Sequence, residues 1–233
     1  MPCVFDVPSV PEAGQPISPW PLGVPAGPDQ EPVYWLARRV FRLPERPSAA
    51  TLTLAADRHY EVFLNQVRVA TGRNYFSGDR YLWLQRHGGA AMAAAAAAGD
   101  NVVEVLVRSD PRAHKNHVPF HPMLWCHLRL ETSAGPVDVA TGTDWEVAVV
   151  TGWRALRALQ LTIAYETVTL APPGHRGVRG TPKDLASRAP ELLDRRQLPP
   201  LYAWTDLPKR IDLHRPAAVA AAGTWTGSAG SLC

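Results

Sequence analysis

The sequence predicts an antiparallel β-sandwich. Three observations carry that expectation: short runs in which apolar residues recur at every second position, turn residues between those runs, and almost no helical periodicity. The 233 residues include 23 Pro and 17 Gly, and so much backbone punctuation argues against a helical bundle. Hydrophobic residues make up 46% and charged residues 19%, the balance of a folding chain rather than a disordered one.

Taken in order, residues 1–32 form a proline-rich arm. Pro2, Pro8, Pro11, Pro16, Pro19, Pro21, Pro25, Pro28 and Pro32 deny it a helix or a central strand, and Trp20 is the residue placed to pin it to a domain surface. Residues 33–170 are expected to hold the sandwich. Strands are read at Tyr34–Leu43, closed by Pro44 and Pro47, then at Thr51–Ala56 and Tyr60–Leu64. Asn65-Gln66 joins the last of these to Val67–Ala70 as a two-residue hairpin, although Gln where glycine is favoured works against a type I′ turn. The alanine run Ala93–Ala98 allows one or two helical turns or a surface insertion. Gly99-Asp100 opens a strand at Asn101–Val107. In Met123–Glu131 the faces separate: Leu124, Cys126, Leu128 and Leu130 point one way, and Trp125, His127, Arg129 and Glu131 the other. Shorter strands follow at Val137–Ala140 and Trp145–Val149, and a longer one near Leu159–Leu170. Residues 171–200 read as a linker and 201–233 as a partial second β region.

Composition excludes several functions. The net charge is +3 with scattered, mostly Arg cations, so nucleic acid is not an expected partner. No stretch approaches the roughly 18 apolar residues of a membrane span, and residues 1–6 lack the basic and apolar regions of a secretory leader. A cytoplasmic location is the expectation, with the compartment otherwise unmarked. Cys3, Cys126 and Cys233 make neither a disulfide framework nor a zinc pattern, and Cys126 reads as a small buried hydrophobe.

The candidate chemistry is polar and aromatic rather than catalytic. Asp57, Glu61, Asp79, Glu104, Asp110 and Glu166 have the right type for glycoside hydrolysis, yet none carries a local signature of an acid pair, so no catalytic residue is assigned. His114, His117 and His121 are spaced three and four apart, a metal-binding spacing on a helix. Pro111, Pro119 and Pro122 oppose a helix there, so the segment reads as a loop whose histidines contact a polar ligand or solvent; no metal or cofactor is expected. Sugars present apolar C–H faces that stack on aromatic rings and hydroxyls that seek polar partners. Trp83, Tyr75, Tyr81, Trp125, His127 and Arg129 supply that mixture, whereas Trp35, Trp145 and Trp153 read as core.

These pieces also follow a recognisable order. Tyr60–Val69 followed by Gly99–Val107 resembles the hairpin and GxN pattern of jelly-roll sandwiches in glycoside hydrolases. Thr141-Gly142-Thr143-Asp144-Trp145-Glu146-Val147, then Gly152-Trp153-Arg154, and Leu193–Leu201 resemble stretches of the bacterial α-L-rhamnosidase family, so the likeness runs from about Val33 to Leu201. The resemblance implies a galactose-binding-like jelly roll, equivalent to a non-catalytic N-terminal module, with the catalytic carboxylates of that family in a later helical barrel. Gln66 and the alanine run depart from the pattern, and no family site residue transfers by motif. The expected function is a carbohydrate-binding or accessory module with Trp83, His114, His117, His121, Trp125, His127 and Arg129 as ligand contacts. Its expected partners are rhamnose- or galactose-type glycans and a catalytic domain or subunit encoded separately. The alternative is a structural or protein-interaction sandwich without sugar affinity; an intact hydrolase is disfavoured because no acid pair can be placed.

Overall fold

A computed structural model describes residues 13–23, 32–73, 82–109, 121–151, 154–157, 167–170, 185–194 and 201–203. The strands in chain order are β1 (Ile17–Ser18), β2 (Val33–Leu43), β3 (Ala49–Ala56), β4 (His59–Leu64), β5 (Val67–Arg73), β6 (Leu82–Gly88), β7 (Gly99–Ser109), β8 (Leu124–Thr132), β9 (Gly135–Ala140), β10 (Glu146–Val150), β11 (Arg154–Arg157), β12 (Thr167–Leu170), β13 (Glu191–Leu192) and β14 (Leu201–Ala203). One helix, α1 (Ala90–Ala95), precedes β7.

One sheet runs β13-β1-β8-β3-β6-β14, with β9 also on β8; the other runs β10-β2-β7-β4-β5. Among the described strands every pairing is antiparallel except β14 on β6. The order β1-β8-β3-β6 against β2-β7-β4-β5 sends the chain across the sandwich at each connection except the β4–β5 hairpin. That is the winding of two Greek keys in a jelly roll. The period-two pattern explains the layers. Trp35, Ala37, Phe41 and Leu43 of β2 and Val103, Val105 and Val107 of β7 meet Leu52 and Leu54 of β3 and Leu124, Cys126, Leu128 and Leu130 of β8 in the central core.

Three local devices fix the ends of the sandwich. The turn at Asn65-Gln66 has positive φ at both residues, 49° and 67°, as a type I′ hairpin requires, so Gln66 accepts the strained conformation that glycine would adopt freely. Asn65 helps hold it there. Its side-chain amide donates to Ala95 O and Asn101 Oδ1, and its Oδ1 accepts from Val102 N at 2.9 Å. Asn101, buried, closes the network by accepting from Ala97 N and donating to Ala97 O and Gly99 O. The alanine run forms α1 slightly earlier than expected, and it is no surface insertion: Met92, Ala93 and Ala96 enter the central core. Small side chains allow this close approach.

The structure departs from the expected boundaries in identifiable places. Within the proline-rich arm, β1 pairs Ile17 with Leu124, and Ile17 is buried in the central core with Trp20 packed against it. Within the expected linker, β13 extends the sheet from β1, and β14 adds to β6 beyond it. Strands β11 and β12 pair as a separate two-stranded ladder, and residues 159–166 of the strand expected near 159–170 lie outside the described residues. In strand β6 the inward positions 85 and 87 are polar, Gln85 and His87, which breaks the apolar alternation. The Tyr60 hydroxyl, from the core face of β4, donates to Gln85 Oε1 and meets His87 Nε2, both at 2.7 Å. Gly72 lies under that phenol, where any Cβ would collide with Tyr60 and Gln85.

Candidate functional site

The site is built on the outer face of the β9-β8-β3-β6 ladder. Register places its residues in rows. Asp138, Arg129, Thr51 and Gly88 form one row, and Ala140, His127, Thr53 and Arg86 the next. Trp125 opposite Ala55 begins a third. Adjacent strands stand about 4.8 Å apart and same-face residues about 6.6 Å apart along a strand. Two rows of this lattice therefore cover the footprint of a small polar ligand.

Ion pairs link the first two rows and reach Glu131 beyond them. His127 Nε2 lies 2.9 Å from Asp138 Oδ1; Arg129 Nε donates to Glu131 at 2.8 Å, and its Nη1 stands 3.6 Å from Asp138 Oδ2. The hydrogen bond to Glu131 raises the already high pKa of the Arg129 guanidinium, so it stays charged throughout the working pH range. Exposed pairs of this kind contribute little to stability. They do offer an array of donors and acceptors to solvent, with Arg86 exposed beside Thr53.

Trp125 shares this face with His127 and Arg129, as alternation requires, but it is no open platform. Its side chain is 0% exposed, in a second apolar cluster with Ala55, Leu84, Met123 and Leu193. The expected stacking ring is therefore covered in this structure, with Leu193, just after β13, in the same cluster. Sequence alternation gives the face of a residue, and only a distant segment decides whether that face is covered.

His121 is also spoken for. Its Nε2 stands 3.1 Å from Ser18 Oγ and 3.0 Å from Trp20 O, and since a carbonyl only accepts, that nitrogen bears the hydrogen. Burial lowers the His121 pKa, partly offset by the bond to Trp20. The residue clasps β1 to the approach of β8. His114 and His117 lie outside the described residues, as do the side chain of Trp83, whose backbone pairs with Tyr202, and residues Tyr75 and Tyr81.

The candidate acids do not assemble. Glu61 pairs with Arg68 at 3.2 Å and Glu104 with Arg38 at 3.9 Å, on the outer side of the other sheet. Asp57 is buried at the β3–β4 turn, and Asp79, Asp110 and Glu166 lie outside the described residues. Among the described residues no group of three or more His, Cys, Asp or Glu is placed to hold a metal ion. Burial pushes the Cys126 thiol up to about 12, against a small opposing effect of Arg39, which makes it an inert core residue. Among the described residues no helix is long and apolar enough to cross a membrane.

No family model matches the chain, and no curated protein matches its sequence. Solved structures do match its fold. The α-L-rhamnosidase from Dictyoglumus thermophilum superposes with a TM-score of 0.60 over 83% of this chain at 13% identity. The GH78 family rhamnosidase of Bacillus sp. GL1 gives 0.57 over 82% at 18% identity, and the rhamnosidase from Aspergillus terreus 0.52 over 81% at 13%. At such identities the likeness is one of fold. The chain spans about a fifth of each of those proteins: 22%, 20% and 22% respectively.

Proposed function

We propose that this chain is an accessory β-sandwich that binds carbohydrate and performs no glycosidic chemistry of its own. The observation that carries the reading is the fold likeness: most of this chain corresponds to about a fifth of the rhamnosidase from Dictyoglumus thermophilum. The ordered rows of Thr, His, Arg and Asp on the β9-β8-β3-β6 face support it, because sugar hydroxyls need such a mixture of donors and acceptors. His127 and Arg129, with Asp138 between them, are the proposed hydroxyl contacts. Trp83, His114 and His117 remain candidate contacts on the sequence argument alone, and His121 takes a structural role. The expected ligands are rhamnose- or galactose-type glycans, and a catalytic domain or subunit encoded separately is the polypeptide such a module would serve.

A second reading, a structural or protein-interaction sandwich, is favoured by one observation: Trp125 is covered and the neighbouring ions satisfy one another. Glycan-array screening followed by titration separates the two. The accessory reading expects weak binding, on the order of millimolar for a monosaccharide, reduced in His127→Ala and Arg129→Ala with melting temperature nearly unchanged. Absence of binding to any glycan selects the structural reading. Aryl α-L-rhamnosides should not be hydrolysed. Turnover abolished by Asp138→Asn or Glu104→Gln would overturn the non-catalytic assignment.

A further inference from the structure

Among the described residues the Trp125 indole N–H has no hydrogen-bond partner, although the side chain is fully buried. Buried donors are nearly always paired, and an orphaned one is unfavourable. Of the residues around this ring, Ala55 and Leu84 belong to the sheet and Met123 to the approach of β8; Leu193 comes from the segment 185–194. That segment is thin. Residues 186–189, 191, 192 and 194 are exposed, and Leu193 is the residue it buries.

Leu185 packs at the other end of the segment against the cluster of Tyr34, Leu36, Phe63, Leu106 and Val150. Two residue pairs join β13 to β1, Leu193 N donates to Pro16 O at 2.9 Å, and Arg188 exchanges two backbone bonds with Val147 while its guanidinium reaches Pro19 O. An apolar leucine cannot answer the indole N–H. A ligand with an apolar face and hydroxyl oxygens can.

We propose that residues 191–194 are a displaceable cover, and that the Trp125 indole beneath them is a sugar-stacking platform completed by His127 and Asp138. The proposal rests on the carbohydrate reading above. A pyranose ring laid on the indole would place a hydroxyl oxygen at the N–H. His127 stands one row along the strand, about 6.6 Å away, and its partner Asp138 is partly exposed as an acceptor. Thr53, opposite His127, borders the same space. The covered state then withholds the platform until Leu193 leaves, which lowers apparent affinity by the fraction of molecules that are open.

The test uses the full chain labelled with ¹⁵N, the Trp125 indole resonance being identified by its loss in Trp125→Phe. In the wild type that N–H should exchange with solvent about 100-fold faster than the most protected amides of β3 and β8, through local opening. Exchange only at the rate of those amides overturns the cover. L-rhamnose and D-galactose are then titrated into the wild type and into Leu193→Ala, with Leu193→Ser as the second variant. Both substitutions should tighten binding about fivefold as the closed population falls, and sugar should shift the indole resonance. Binding that leaves this resonance unmoved, or is equal in all three proteins, overturns the platform while the carbohydrate reading stands. Binding by none of them overturns that reading and the platform with it.

Discussion

At the scale of single residues, Asn101 does more than its polarity suggests. It is buried, and its amide ties the end of α1 to the start of β7 and to the hairpin residue Asn65. Asn101→Ala removes the partner of Ala97 N–H and one of the partners of Asn65, and leaves the buried site of Asn101 unfilled. We expect a loss of about 2–3 kcal/mol, read as a lower urea midpoint with an unchanged denaturant slope. The sequence marked this residue only as part of a GxN pattern opening a strand. The network itself joins positions 36 apart in sequence, which no local pattern displays. Gln66 shows the opposite case: the local rule disfavours it, yet the strand register on either side and the fixing of Asn65 impose the turn.

At the scale of elements, the His121 clasp couples the N-terminal segment to pH. Its folded-state pKa lies below the ordinary value of 6.5, because burial disfavours the charged ring. The unfolded chain therefore binds the proton more readily, and the contribution is fully present above about pH 6.5 and declines as pH falls through and below it. Among the described residues, Ser18 and the Trp20 carbonyl face the ring, and Arg188 reaches the neighbouring Pro19 carbonyl. His121→Gln keeps a donor without a titrating ring. Melting curves from pH 8 to pH 5 should fall less steeply for that variant than for the wild type; parallel curves would show that His121 does not couple β1 to pH.

At the scale of the whole molecule, the sandwich recruits segments that composition alone sets apart. Ile17 is wholly buried among core residues of both sheets, and β1 carries β13 at its edge. Removal of residues 1–32 should therefore destabilise the remaining chain by roughly 2–4 kcal/mol, the burial of Ile17 being the largest part. Equal melting temperatures of the full and shortened chains would mean that the arm is dispensable.

What the sequence determined by itself was the set of long strands and the side each residue faces. In Trp35–Leu43 and Leu124–Leu130 the period of two follows from the backbone pleat, and a buried layer needs apolar residues on one side. Inward-facing Leu124, Cys126, Leu128 and Leu130 and outward Trp125, His127 and Arg129 were legible for that reason. Strand β6 was not, because Gln85 and His87 face inward and are satisfied by Tyr60 from the opposite sheet. Nor were β1 and β13, two residues each, whose pairing comes from partners more than 100 positions away. The candidate site divides along the same line. Strand geometry put Trp125 on the outer face, but only the tertiary structure could bring Leu193 over it and Ser18 to His121. Covering a surface depends on contacts between distant segments, and those contacts leave no local period to read.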